Sequence, residues 1–245
     1  MHLNLAGKVA LVTGGMSGLG RSIVQVLLDE GCRVQVADLK VGVNGMDPSA
    51  VRQHALDVGD ASAVQATVDG ILEAEGRIDI LVNCAGILKT RPLAESSFAD
   101  WDDVVRVNLS GLYYCSRAVL PAMVAARYGK IVNIASVSAA KGGGQFGNVL
   151  YGTTKAGVVA MTQGFARELG PHGINVNAIS PGVVDTPMTA GLMSSEVRDA
   201  VTQLMPLRRL IQPSEIASHV AYLASDVAQG ITGQVLTVDA GFLVR

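Results

Sequence analysis

Charge is scarce in this chain and nowhere concentrated. Only 16% of its 245 residues are Asp, Glu, Lys or Arg, and 19 basic against 21 acidic side chains leave a net charge of −2 without a long run of either sign. A nucleic-acid or membrane-surface partner needs a basic footprint, and none is present. Cysteine is rarer still. Cys32, Cys84 and Cys115 are odd in number, far apart and set in apolar segments, which predicts buried free thiols in a reducing cytoplasm. The four histidines, His2, His54, His172 and His219, form no ligand-spaced cluster with one another or with the cysteines, so no metal site is expected. The start of the chain lacks a charged n-region and a cleavage site, and no unbroken apolar run reaches membrane-spanning length. The expectation is a soluble, unexported protein.

Hydrophobic residues and glycine are abundant instead, at 49% and 28 residues, a balance that suits a sheet buried on both faces. The length allows a large core within one domain, residues 1–245. Apolar runs at 8–13, 33–37, 53–58, 78–82, 130–135, 174–179 and 235–238 read as strands. Between them, helical periodicity is read at 18–30, after a cap at Asp60, from a Ser97/Asp100 capping box through Asn108 to about Arg127, at 151–170 and at 213–224. Pro121 is expected to kink the long helix. Residues 41–49 carry no helical period, so the crossover there is expected to be reduced. Strands alternating with helices predict an α/β fold: a doubly wound, Rossmann-like parallel sheet in three α/β/α layers. Residues 187–212 contain a segment that fits either a helical lid over a site or a surface helix.

Several residues carry chemistry at the carboxyl ends of these strands. The turn Thr13-Gly14-Gly15-Met16-Ser17-Gly18-Leu19-Gly20 follows the first strand and opens a helix, where bare backbone and helix N–H groups can receive a pyrophosphate. Its Gly-x-x-x-Gly-x-Gly spacing differs from the commoner dinucleotide fingerprint. Asp38 ends the second strand, where a carboxylate can accept from an adenosine ribose and repels a 2′-phosphate. It equally fits a cap or turn. Asp57 can face the adenine, and the small residues of Asn83-Cys84-Ala85-Gly86 can let a cofactor pass over the fourth strand. Asn108 is a polar residue in an apolar helical run, readable as a satisfied buried amide or as a functional group. Ser136 stands at the end of the fifth strand. Tyr151 and Lys155, four apart on one helix face, can share an environment in which the cation eases loss of the phenol proton, although the same spacing occurs at ordinary helix starts.

Taken in order, these motifs resemble the short-chain dehydrogenase/reductase family of compact, single-domain type, over essentially the whole chain. The resemblance implies a catalytic tetrad of Asn108, Ser136, Tyr151 and Lys155. Tyr151 would exchange the substrate proton, Ser136 polarise the same oxygen, Lys155 bind the ribose and depress the Tyr151 pKa, and Asn108 hold a water. Ser138 competes with Ser136, standing 13 residues before Tyr151 against 15; Ser136 is preferred by its strand-end pattern. Cofactor contacts are expected from Gly14, Ser17, Gly18, Leu19, Gly20, Asp38, Leu39, Asp57, Val58, Asn83, Ala85, Gly86, Tyr151, Lys155, Pro181, Gly182, Val184 and Thr186, with NAD favoured over NADP. Ser138, Gln145, Phe146, Asn148, Leu150 and Met188 are expected to line the substrate pocket. The implied activity interconverts a secondary alcohol and a ketone. An acyl-carrier-protein-linked ketoreductase and a non-catalytic NAD sensor are the alternatives. A homotetramer is expected, built on the long helix and the Tyr151 helix with a second surface at 241–245.

Overall fold

The computed structural model describes residues 2–42, 51–144 and 148–244. The reduced crossover expected after residue 41 falls mainly on 43–50, and the pocket candidates Gln145 and Phe146 on 145–147, so both lie outside the described residues.

The described strands are β1 (Val9–Thr13), β2 (Arg33–Asp38), β3 (Val51–Ala55), β4 (Ile80–Asn83), β5 (Gly129–Ile134), β6 (Ile174–Pro181) and β7 (Val235–Val238). All pair in parallel in the order β3-β2-β1-β4-β5-β6-β7. Every residue of β1, β4 and β5 is buried, as a sheet covered on both faces requires. The helices are α1 (Gly18–Asp29), α2 (Ala61–Glu75), α3 (Phe98–Val105), α4 (Gly111–Ala126), α5 (Ser138–Lys141), α6 (Val149–Leu169), α7 (Pro187–Ala190), α8 (Ser195–Gln203) and α9 (Pro213–Ala224). On one face Ile23 and Leu27 of α1 pack with Ile216 and Val220 of α9. On the other, Val68 and Ile71 of α2 pack with Val119 and Met123 of α4. Each such aliphatic side chain, fully buried, contributes about 1.5–3 kcal/mol of transfer free energy. Among the described residues no helix is long and apolar enough to cross a membrane.

Four elements differ from the sequence expectation. β3 stops at Ala55 instead of Val58, because the Asp60 N–H bonds the Asp57 carbonyl and the Gly59 N–H bonds Asp57 Oδ1, which turns the chain out of the sheet. The long helix is not continuous: residues Arg106–Ser110 form a π-turn between α3 and α4, ahead of Pro121, which sits inside α4. Gly111 presses on the 57–59 turn there, and a Cβ on it would stand 2.7 Å from Val58 Cγ2. α6 begins two residues early because Asn148 caps it. Residues 187–212 hold two short helices, α7 and α8, rather than one.

The order reverses beside β1, which pairs with both β2 and β4. Ligands of open parallel sheets settle in the crevice at such a switch point, beyond the carboxyl ends of the strands.

Candidate active site

The crevice is built first by close backbone approach. Gly14 has φ +67°, and a Cβ there would lie 2.8 Å from Ala85 Cα; at Gly20 it would lie 2.0 Å from the Gly14 carbonyl oxygen. Thr13 Oγ1 accepts from the N–H groups of Cys84 and Ala85, at 3.1 and 3.2 Å, locking the two strand ends together. Ser17 is the N-cap of α1 but its side chain makes no capping bond. The first N–H groups of that helix therefore have no intrahelical partner, and Ser17, Gly18, Leu19 and Gly20 all line the crevice. Asp38 closes this end. Its Oδ2 accepts from the Met16 N–H at 3.0 Å, and among the described residues no ion pair reaches it.

The resulting cleft, about 300 Å³, runs from Asp38, Leu39, Asp57 and Val58 across Ala85 and Gly86 to Ser136, Tyr151 and Lys155, and is flanked by Pro181, Gly182, Val184, Thr186 and Met188. Lys155 Nζ donates to the Ile134 carbonyl at 2.7 Å and stands 5.6 Å from the centre of the Tyr151 ring. Burial pushes the Tyr151 phenol up to about 12, against a smaller downward pull from hydrogen bonding to Ser136. Burial likewise brings the Lys155 ammonium down to about 8. Desolvation thus sets the direction of the phenol's shift, opposite to the depression expected from the lysine cation. Cys84, also on the cleft, is raised to about 12 by burial and stays a neutral thiol.

Asn108 lies in the π-turn, 2% exposed. Its Oδ1 accepts from the Ile87 N–H at 2.8 Å, and its Nδ2 donates to the Ile87 carbonyl and to Thr154 Oγ1, at 3.0 and 3.2 Å. Thr154 was not singled out from the sequence. It donates to the Tyr151 carbonyl at 2.9 Å, a back-bond open to any Thr three residues on in a helix. Ile87, Val107 and Ile134 also line the cleft without having been expected there; apolar wall residues leave no mark in a chain this rich in them.

Other candidates lie elsewhere. Asn83 does not line the cleft: it is 4% exposed, with Nδ2 donating to Asn133 Oδ1 and Ser116 Oγ beneath the floor. Ser138 is buried outside the cleft, its N–H donating to Ser136 Oγ at 3.1 Å. Leu150 faces the core, and Asn148 is spent on capping α6. Met188 is on the cleft. Asp57 is on it too, with Oδ2 held 2.7 Å from Arg106 Nη1.

The family model described as Enoyl-(Acyl carrier protein) reductase matches residues 14–243. A 3-oxoacyl-(acyl-carrier-protein) reductase of Thermotoga maritima is 36% identical over 99% of this chain and 100% of its own. D-threitol dehydrogenase of Mycolicibacterium smegmatis is 40% identical over 98% and 95%. The solved aldohexose dehydrogenase of Thermoplasma acidophilum, 32% identical, superposes with a TM-score of 0.91 over 100% of this chain and 97% of that one. With the Rossmann sheet, the glycine turn and the Tyr151/Lys155 helix, these likenesses show that the chain belongs to the short-chain dehydrogenase/reductase family of oxidoreductases.

Proposed function

We propose that the chain is an NAD-dependent oxidoreductase that interconverts a secondary alcohol and a ketone, with Tyr151 as the proton-exchanging group. The observation that carries this reading is the single cleft that joins the first-turn N–H groups of α1 and the Asp38 carboxylate, which among the described residues meets no cation, to Ser136, Tyr151 and Lys155. Its chemistry fits a nicotinamide dinucleotide: helix N–H groups for the pyrophosphate, Asp38 for the ribose hydroxyls and Lys155 for the second ribose. Bound there, the dinucleotide supplies the hydride acceptor or donor. Tyr151 exchanges the proton of the substrate oxygen, Ser136 donates to the same oxygen, and Lys155 with Asn108 carries the proton onward. With its pKa raised to about 12 by burial, the phenol is protonated at neutral pH, the form that donates to a ketone.

An acyl-carrier-protein-linked reduction is the second reading, favoured by relatives that carry that name. Asp38 weighs against it where the reductant is NADPH, because a 2′-phosphate would meet a carboxylate that among the described residues has no cation paired with it. We further propose a cytoplasmic homotetramer, supported by Tyr113 and Phe165, which form an aromatic contact across the outer faces of α4 and α6, with Tyr113 45% exposed. Residues 187–212 are proposed as the substrate lid.

The test is steady-state oxidation of a panel of polyols, cyclic alcohols and hydroxyacyl esters with NAD and with NADP. Turnover with a higher kcat/KM for NAD is expected, and Asp38→Ala should narrow the ratio. A higher kcat/KM with NADP would move the cofactor assignment, with Lys40 the first residue to change.

A further inference from the structure

The backbone of Tyr151 is gripped from both sides. Its carbonyl accepts from Thr154 Oγ1, which in turn accepts from Asn108 Nδ2. Its N–H donates to Asn148 Oδ1 at 3.2 Å. The other half of the Asn148 amide is also engaged, Nδ2 donating to the Arg91 carbonyl at 2.6 Å. Arg91 belongs to the stretch that leaves the cleft at Ile87, and that stretch is pinned along its length. Asn108 holds both backbone groups of Ile87, and Lys89 Nζ reaches Asp100 Oδ1 at 3.1 Å and Asp103 Oδ2 at 3.2 Å on α3. The Asp100 carboxylate is itself fixed by the Ser97 capping box. A closed circuit results, from Asn108 to Ile87, along the chain to Arg91, through Asn148 to Tyr151, and back by Thr154 to Asn108.

Resting on the reading of Tyr151 as the acid/base, we propose that Asn148 is a positioning residue, which sets the phenol against Ser136 by capping the first turn of α6 and tying it to residues 87–91. A helix start without such a cap frays. Here the frayed turn would carry the reacting group, and a displacement of the order of 1 Å between reacting groups costs about 10²-fold in rate. Serine caps as well as asparagine, but its shorter side chain has no amide to donate to Arg91. The two functions of Asn148 are therefore separable by substitution.

The test compares Asn148→Ala and Asn148→Ser in the full chain by backbone amide exchange and by kinetics. In Asn148→Ala, the amides of 149–152 and of 87–91 should both exchange faster. In Asn148→Ser only those of 87–91 should do so. With a secondary alcohol, Asn148→Ala should lose about 10-fold or more in kcat at unchanged NAD affinity, and Asn148→Ser should recover most of it. Unchanged exchange at 149–152 in Asn148→Ala, retained kcat in that variant, or a serine variant as slow as the alanine one would each overturn the proposal. Absence of turnover in the unmodified protein would instead strike the functional reading, and amide exchange would still decide whether Asn148 holds the turn.

Discussion

A half-buried tyrosine and a buried lysine sit at the reacting end of the cleft, and desolvation drives each toward its neutral form. Tyr151 at about 12 and Lys155 at about 8 are displaced in opposite directions from ordinary tyrosine and lysine by the same desolvation. The pairing was legible from the four-residue spacing. The sign of the phenol's shift was not, since it depends on how much water the finished fold removes. Within this balance hydrogen bonding to Ser136 is the contribution that lowers the phenol pKa, by stabilising the phenolate. Ser136→Ala removes it, so the folded pKa of Tyr151 rises. The rising limb of kcat/KM against pH in alcohol oxidation should then move to higher pH, whereas Ser138→Ala should leave the limb in place. A limb that stays put in Ser136→Ala, or moves in Ser138→Ala, would exchange the roles of the two serines.

At the scale of the element, what was legible was local. The buried strands announced themselves as short apolar runs, and the Asp60 and Ser97/Asp100 caps formed as their residue types require. What was not legible depends on contacts distant in sequence. The π-turn at Arg106–Ser110 coincides with the fit of Gly111 against Val58, some fifty residues away, and no pattern within the helix encodes it. The early end of β3 follows from a turn closed by Asp57, whose competition with strand pairing periodicity does not weigh. Glycines show the same divide. Gly20→Ala places a methyl 2.0 Å from the Gly14 carbonyl and should cost about 1–3 kcal/mol or more of stability. Gly70, exposed within α2, has nothing within 4 Å of a built Cβ, so Gly70→Ala should add about 0.4–1 kcal/mol. Chemical denaturation of both variants measures the contrast, and a destabilised Gly70→Ala would show that the helix surface is not free.

For the whole molecule, acid sensitivity follows from two carboxylates that fasten loops to helices. Asp100 is held at about 2, first by the Ser97 N–H and then by Lys89. Glu215 is held at about 2, first by Arg209 and then by the Gln212 N–H. Both folded pKa values lie below the unfolded ones, so their contributions are complete above about pH 4 and are lost as pH falls toward 2. Thermal unfolding should show Tm falling across that window, with a shallower fall in Glu215→Gln; an identical fall would remove Glu215 from the account. The proposed tetramer is a matter of mass: light scattering at micromolar concentration should give four times the chain mass, and a monomer would refute the contact across α4 and α6. The central claim, however, concerns a single proton. It is tested most directly by comparing the unmodified protein with Tyr151→Phe for NAD binding and for turnover of the best alcohol found. The expected result is NAD affinity within a few-fold and kcat lower by about 10²-fold or more; a Tyr151→Phe protein that turns over at the unmodified rate would contradict the account.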